Sequence, residues 1–264
     1  MSAEILLNSR KTRRRRAIRR LLFFIFGAGI ILSGAIYVFY LPKFRIKDID
    51  VPALKTLSQD EIKEFSKEIL SAKIAGLLPA DNILLAPIEK IKTGLKSKFL
   101  RIKEIEVSRR WPDILKIDIL ERSTWAVYCQ KGEKNGCYLS DNQGLLFASA
   151  PEFEGNLLLK LYDERPSAGQ FSLGDFILNQ KNFTLISEFE NELEKAGKHI
   201  SKIIFKDDQE EFYVGSWKIT LDFEINKETA IKNLFLALTE IGGFENKLDY
   251  IDLRFGDKIF YKFK

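Results

Sequence analysis

The chain has 264 residues, of which 42 are Lys or Arg, 37 are Asp or Glu and one is His, giving a net charge of +5 at neutral pH, and 45% are hydrophobic. This apolar content suffices for one large core or two modest ones and excludes disorder over most of the length. The basic excess lies in the first 20 residues, where eight Lys or Arg face the single acid Glu4, while the remainder carries 34 basic and 36 acidic residues. The folded part is therefore not basic, which argues against a nucleic-acid partner.

Leu21 to Leu41 contains no charged residue. As a helix these residues would rise ~31 Å, matching a hydrocarbon core of ~30 Å. The run continues past the faint cleavage-like stretch Ser33-Gly34-Ala35 and is longer than the ~7–15 apolar residues of a signal peptide. It is expected to be a retained transmembrane helix, with residues 1–20 as a basic cytoplasmic tail and the rest of the chain outside the cytoplasm, since positive charge stays inside. Tyr37 and Tyr40 fall near the outer interface, where amphipathic rings are favoured.

Beyond the span, Phe44 to Val51 reads as a strand. Ser58-Gln59-Asp60-Glu61 then has the form of a capping box opening a helix with Ile62, Phe65 and Ile69 on one face. Asn82 to Leu85 is a short apolar connector, and Pro87 opens a second helix with Ile88, Ile91 and Leu95 on one face. Ile102, Ile105 and Val107, a break at Arg109 to Pro112, and Leu115, Ile117 and Ile119 read as a β-hairpin. Residues 44–122 are thus a β-α-α-β-β module, and residues 123–264 a larger β-rich domain with two helices. The fold class is α+β behind a single N-terminal transmembrane helix.

In the second domain, strands are expected at Trp125–Cys129, Tyr138–Leu139, Leu145–Phe147, Ile203–Phe205, Glu211–Val214 and Lys218–Phe223. Helices run through Phe183 to Leu193 and, after an N-cap at Asn226, through Ile231 to Ile241; alternating strands follow from Tyr250 to Phe263. Cys129 and Cys137 flank Asn135-Gly136, a hairpin-turn signal. They read either as a bridge across that hairpin or as two free thiols.

With one His and two Cys the chain lacks the four ligands of the usual structural zinc site, and no metal or other cofactor is expected. His199, between a helix end and a strand, reads as a solvated loop residue. The sequence holds no Gly-x-Ser-x-Gly elbow, phosphate-binding loop or dinucleotide fingerprint. A carboxylate pair among Asp207, Asp208, Glu210 and Glu211 would be the chemistry of an alternative, a membrane-anchored cell-wall (peptidoglycan) enzyme. Adjacent acids between two strands read instead as a solvated turn, and no catalytic residue is assigned.

The ordered motifs resemble the FtsQ/DivIB family of bacterial cell-division proteins, whose first extracytoplasmic module is called POTRA. They comprise Phe44-Arg45-Ile46, Asn82-Ile83-Leu84, Ile105 and Val107 before Trp111-Pro112, Glu121-Arg122, Ala126, Asp141 with Gly144, and Tyr250-Ile251-Asp252-Leu253-Arg254-Phe255. The resemblance implies a non-enzymatic divisome scaffold in the bacterial inner membrane. It implies coiled-coil partners like FtsB/DivIC and FtsL, no small-molecule substrate, and a link between early and late division proteins. It also matches Val107 and Arg109 to a surface for recruitment to the division site.

The last segment can be read from its own pattern. Tyr250, Asp252 and Arg254 alternate with Ile251, Leu253 and Phe255, and Gly256-Asp257 can reverse the chain. In the closing strand Lys258, Phe260 and Lys262 alternate with Ile259, Tyr261 and Phe263. Lysines on a terminal strand discourage indiscriminate pairing. The same edge can accept one chosen partner by strand addition, with Phe255 and Lys258 to Phe263 as its contact surface, the lysines selecting acidic side chains and Arg254 as a charged anchor.

Overall fold

The computed structural model describes residues 2–131, 137–151, 158–223 and 225–264, and divides into two compact units, 1–121 and 122–264. The Asn135-Gly136 turn lies outside the described residues.

The first unit begins with α1 (Ser2–Phe39), which takes in both the basic run and the apolar run. Its Arg19–Phe39 stretch is, among the described residues, the one helix long and apolar enough to cross a membrane. The helix stops at Phe39 and the chain turns at Pro42–Phe44, a single 3-10 turn with proline in its first position. Then follow β1 (Asp48–Asp50), α2 (Gln59–Ser71), the two-residue strands β2 (Lys73–Ile74) and β3 (Leu78–Pro79), α3 (Ile88–Lys98), β4 (Ile102–Arg110) and β5 (Ile114–Glu121).

Ser58 caps α2, its Oγ accepting the Glu61 N–H at 3.4 Å. The described strands of the small sheet run β1-β5-β4, with β1 parallel and β4 antiparallel to β5. Ile62 and Leu70 of α2 and Ile91 and Leu95 of α3 close its core with Ile49, Ile102, Val107, Leu115 and Ile117. Burying each such side chain is worth about 1.5–3 kcal/mol.

Strand β1 is shorter than expected because the backbone before it is engaged elsewhere. Phe44 O accepts from Ile83 N at 2.8 Å, and Ile46 N donates to Asp81 O at 2.7 Å. The break after β4 is also narrower, since Arg109 and Arg110 still pair with Leu115 and Ile114.

The second unit contains β6 (Ala126–Gln130), β7 (Tyr138–Ser140), β8 (Leu146–Ser149), β9 (Leu159–Asp163), α4 (Gln180–Lys195), β10 (Ile200–Phe205), β11 (Glu210–Val214), β12 (Trp217–Leu221), α5 (Lys227–Ile241), β13 (Leu248–Phe255) and β14 (Lys258–Phe263). Its described strands form one large sheet in the order β14-β13-β12-β11-β10-β9-β6-β7-β8. Two parallel pairs, β9 with β10 and β12 with β13, are joined through α4 and α5. Asn179 and Asn226 cap these helices by accepting the N–H of Asn182 and Thr229. Phe183, Ile186, Phe189 and Leu193 of α4 and Ala230, Leu234, Ala237 and Ile241 of α5 share one core with Tyr128, Leu161, Phe205, Phe212, Ile219, Ile251 and Leu253.

Candidate partner-binding surface

The large sheet terminates in β14, which pairs antiparallel with β13 on one side. Among the described residues no strand or loop pairs with it on the other. The two strands are joined at Gly256, whose φ of +63° favours glycine. Asn233 of α5 donates to Gly256 O at 2.7 Å and ties this turn to the helix.

Register shifts between Asp252 and Phe255, so that β13 carries an extra residue there and the simple alternation fails. Phe255 therefore does not follow Ile251 and Leu253 into the core. It is 54% exposed and meets Phe260 edge to face, ring centroids 5.2 Å apart. Ile259 packs against the core, while Tyr261 and Phe263 lie exposed on the same face with centroids 5.6 Å apart. Both faces of β14 thus present aromatic rings. Lys258 and Lys262 are exposed, and Lys262 lies 3.8 Å from Asp249.

Arg254 is already engaged. Its Nε and Nη2 donate to the two carboxylate oxygens of Asp252 at 3.0 and 2.7 Å, and its backbone N–H donates to Oδ1 at 3.1 Å. Burial pushes the Asp252 carboxyl up, but these bonds outweigh it and hold the pKa below the usual carboxylate value. Arg254 thus stiffens the base of the hairpin with part of its guanidinium open. The same clamp recurs at the end of β9, where Arg165 Nε and N–H bond Asp163 Oδ1 at 2.9 and 3.1 Å and Tyr128 donates to Asp163 Oδ2 at 2.8 Å. Sequence reasoning missed both clamps. The spacing Asp-x-Arg, present at 163–165 and again at 252–254, was their signal.

The far edge of the large sheet, β8, is closed by the chain itself at its Leu146 end. Leu146 N donates to Asp175 O at 2.9 Å, Gly174 N donates to Leu146 O at 2.7 Å, and Leu145 bridges Phe176. Gly144, at φ +82°, donates to Asp141 O at 3.1 Å and accepts from Ile177 N at 3.0 Å. A Cβ there would sit 2.6 Å from the Phe183 ring, so both the backbone conformation and the space require glycine.

The other residues singled out from sequence fall in separate places. Val107 is 5% exposed and belongs to the core of the small sheet, so its side chain offers no recruitment surface. It lies on the inward parity of β4 under α3. Arg109, two residues on, donates from Nε to Ile83 O at 2.6 Å and from Nη2 to Ala86 O at 3.1 Å. Cys129 and Cys137 are disulfide-bonded, with Cα atoms 4.5 Å apart. His199 is exposed, with Nδ1 2.7 Å from Glu194.

The acidic run is not one solvated turn. Asp207 and Asp208 are exposed, but Glu210 and Glu211 lie in β11 at 4% and 2% exposure. Glu211 is held by Lys218, Lys206 and Tyr213 at 2.7, 2.9 and 2.9 Å. Burial raises its pKa, and these three bonds overcome that and bring it to about 2. Glu210, on the opposite side of the strand, has no bonding partner at Oε2, and burial with the charges of Asp222 and Asp208 pushes it up to about 8. Among the described residues no group of three His, Cys, Asp or Glu could hold a metal ion.

Residues 44–122 match the model of the POTRA domain, FtsQ-type. The chain is similar to a protein named "Cell division protein FtsQ" from Streptomyces bingchenggensis, 30% identical over 169 residues, which cover 61% of this chain and 58% of the relative. A second protein of that name, from Geobacter sp. (strain M21), is 32% identical over 109 residues, covering 41% of this chain and 34% of the relative. The matches therefore span less than two thirds of the length of either relative. Together with the α+β fold and the apolar N-terminal helix, the matched FtsQ-type POTRA module and the two relatives named FtsQ support the FtsQ/DivIB family for this chain.

Proposed function

We propose that the chain acts in bacterial cell division as a single-pass membrane scaffold that binds other proteins and performs no catalysis itself. Its N-terminus is cytoplasmic and residues 44–264 lie outside the cytoplasm, because the eight basic residues before the span outweigh Lys43, Arg45 and Lys47 after it. The names of the two relatives support the division role. The recruitment function assigned to the small unit rests on Arg109 and the exposed end of β4.

The partner-binding reading rests on one observation: among the described residues β14 has no partner on its outer side and is flanked by exposed aromatic rings, whereas the opposite edge is covered at Leu146. An incoming strand can bond to its outward N–H and C=O groups and seat apolar side chains against Phe255, Phe260, Tyr261 and Phe263. Lys258 and Lys262, with the open part of Arg254, select acidic residues on that strand. At ~0.5–1.5 kcal/mol per bond the ladder alone binds weakly, so the aromatic contacts carry much of the affinity. The partners proposed are the FtsB/DivIC-like and FtsL-like coiled-coil proteins of the same organism.

The test uses the detergent-solubilised full chain and the FtsB/DivIC-like protein of the same organism. Adjacent strand residues direct their N–H groups to opposite sides, so one of Phe260→Pro and Tyr261→Pro removes an outward donor and the other a donor to β13. The outward substitution is expected to abolish co-purification while leaving the fold intact. Undiminished capture by both variants would rule out strand addition at this edge.

A further inference from the structure

We propose that the membrane-facing end of the small unit is itself a lipid-contacting surface, with Trp111, Leu77 and Leu84 seated in the interfacial layer of the membrane that α1 crosses. The proposal rests on reading Arg19–Phe39 as a membrane span.

Three large apolar side chains that the core does not use stand at this end of the unit: Leu77 is 58% exposed, Trp111 54% and Leu84 42%. Each is linked to the segment from Phe39 to Phe44 by a separate contact. The Tyr40 hydroxyl donates to Leu77 O, which fixes the β2-β3 turn beside the helix terminus. Asn82, fully buried, donates from Nδ2 to Phe39 O at 2.9 Å and accepts Leu84 N at 2.8 Å. Trp111 meets Phe44 edge to face, centroids 6.4 Å apart.

Phe44 stays near the helix end, because the neighbouring residues Asn82 and Ile83 bond Phe39 O and Phe44 O respectively. Their Cα atoms are only ~3.8 Å apart, so one short segment holds both carbonyls. The indole, edge to face with Phe44, is thereby kept near the end of the apolar helix.

Tryptophan and tyrosine concentrate at that level because their rings are apolar and their N–H or O–H is not. Tyr40 and Trp111 fit that position, and Leu77 and Leu84 supply the apolar complement. The charges nearby suit anionic headgroups. Asp81, Asp113 and Asp50 are paired with Arg45, Lys47 and Arg110 at 3.5, 2.7 and 3.8 Å, while Lys43 and Lys73 stand exposed. The exposed Asp48 turns its carboxylate onto the Ile49 N–H.

The test places the full chain in nanodiscs of phosphatidylcholine and phosphatidylglycerol and measures quenching of tryptophan emission by lipids brominated high on the acyl chain or near its methyl end. High bromines are expected to quench the parent more strongly, and Trp111→Phe to lose roughly half or more of that quenching, since the other tryptophans, Trp125 and Trp217, are half-buried and buried in the second unit. A further variant, Ile31→Trp, puts an indole within the span, where deep bromines should quench it. If Ile31→Trp is quenched and Trp111→Phe changes nothing, the surface is not a lipid contact although the span is real. If Ile31→Trp escapes deep quenching, the membrane reading falls and this proposal with it.

Discussion

At the β8 edge of the large sheet, residues 174–177 return to bond Leu146 and Gly144, so the ladder ends against the chain's own backbone. At the β14 edge nothing described plays that part, and five apolar side chains from Phe255 to Phe263 flank the open ladder with two lysines among them. Edges left open are normally a hazard managed by charge or by covering. One sheet using both devices, covering at one end and lysines at the other, separates the end that only has to fold from the end available to another chain.

The largest effect expected from breaking this contrast comes from proline in β14. The outward-directed member of Phe260→Pro and Tyr261→Pro should weaken partner binding by ~3 kcal/mol, about 100-fold, in a titration of the full chain. Unfolding by urea should shift little for the same variant. At the covered edge the roles reverse. Gly144→Ala combines a positive φ with a Cβ driven into the Phe183 ring, and should lower folding stability by about 2 kcal/mol while the folded protein keeps its partner affinity.

The middle of the sheet offers a pH-dependent contrast. Glu210 rises from 4.5 to about 8 on folding, so between those values the folded state holds a proton that the unfolded state releases. This contribution is full below pH 4.5 and lost as pH rises through about 8. The slope reaches at most about 1.4 kcal/mol per pH unit. Glu210→Gln should flatten it in thermal unfolding curves taken across that window. Glu211 works in the opposite sense: its contribution is present above its ordinary 4.5 and lost as pH falls toward 2. The smallest effect is at the rim, where Lys258→Glu or Lys262→Glu should cost about 0.5–1 kcal/mol of binding and reduce its salt dependence.

Much of this arrangement is legible in the sequence where local chemistry and packing agree. The Ser58 box, the Asn226 cap, and the apolar stripes of α2 to α5 all mark helices whose ends and faces are set locally. Strands fixed by distant partners were harder. Leu159–Asp163 is missed because β9 is a short parallel strand whose register comes from β6 and β10, not from its own alternation. The pair β2-β3 is too short to leave a period. Glu210 and Glu211 resemble a turn because burial of two acids depends on Lys206 and Lys218 on one face and on protonation on the other.

The edge itself was found, but its face was misread at one place. A single extra residue in β13 moves Phe255 from the core to the surface, beside Phe260. Val107 shows the same limit from the other side: its position in β4 was clear, and its burial beneath α3 was set by tertiary packing.

Hydrogen–deuterium exchange of the full chain, alone and saturated with the proposed FtsB/DivIC-like partner, addresses the central contrast most directly. The outward amides of Lys258–Phe263 should exchange rapidly in the free protein and become strongly protected in the complex, while the Leu146 amide stays protected and unchanged in both. A saturated complex in which β14 exchanges as fast as in the free chain would contradict strand addition at this edge.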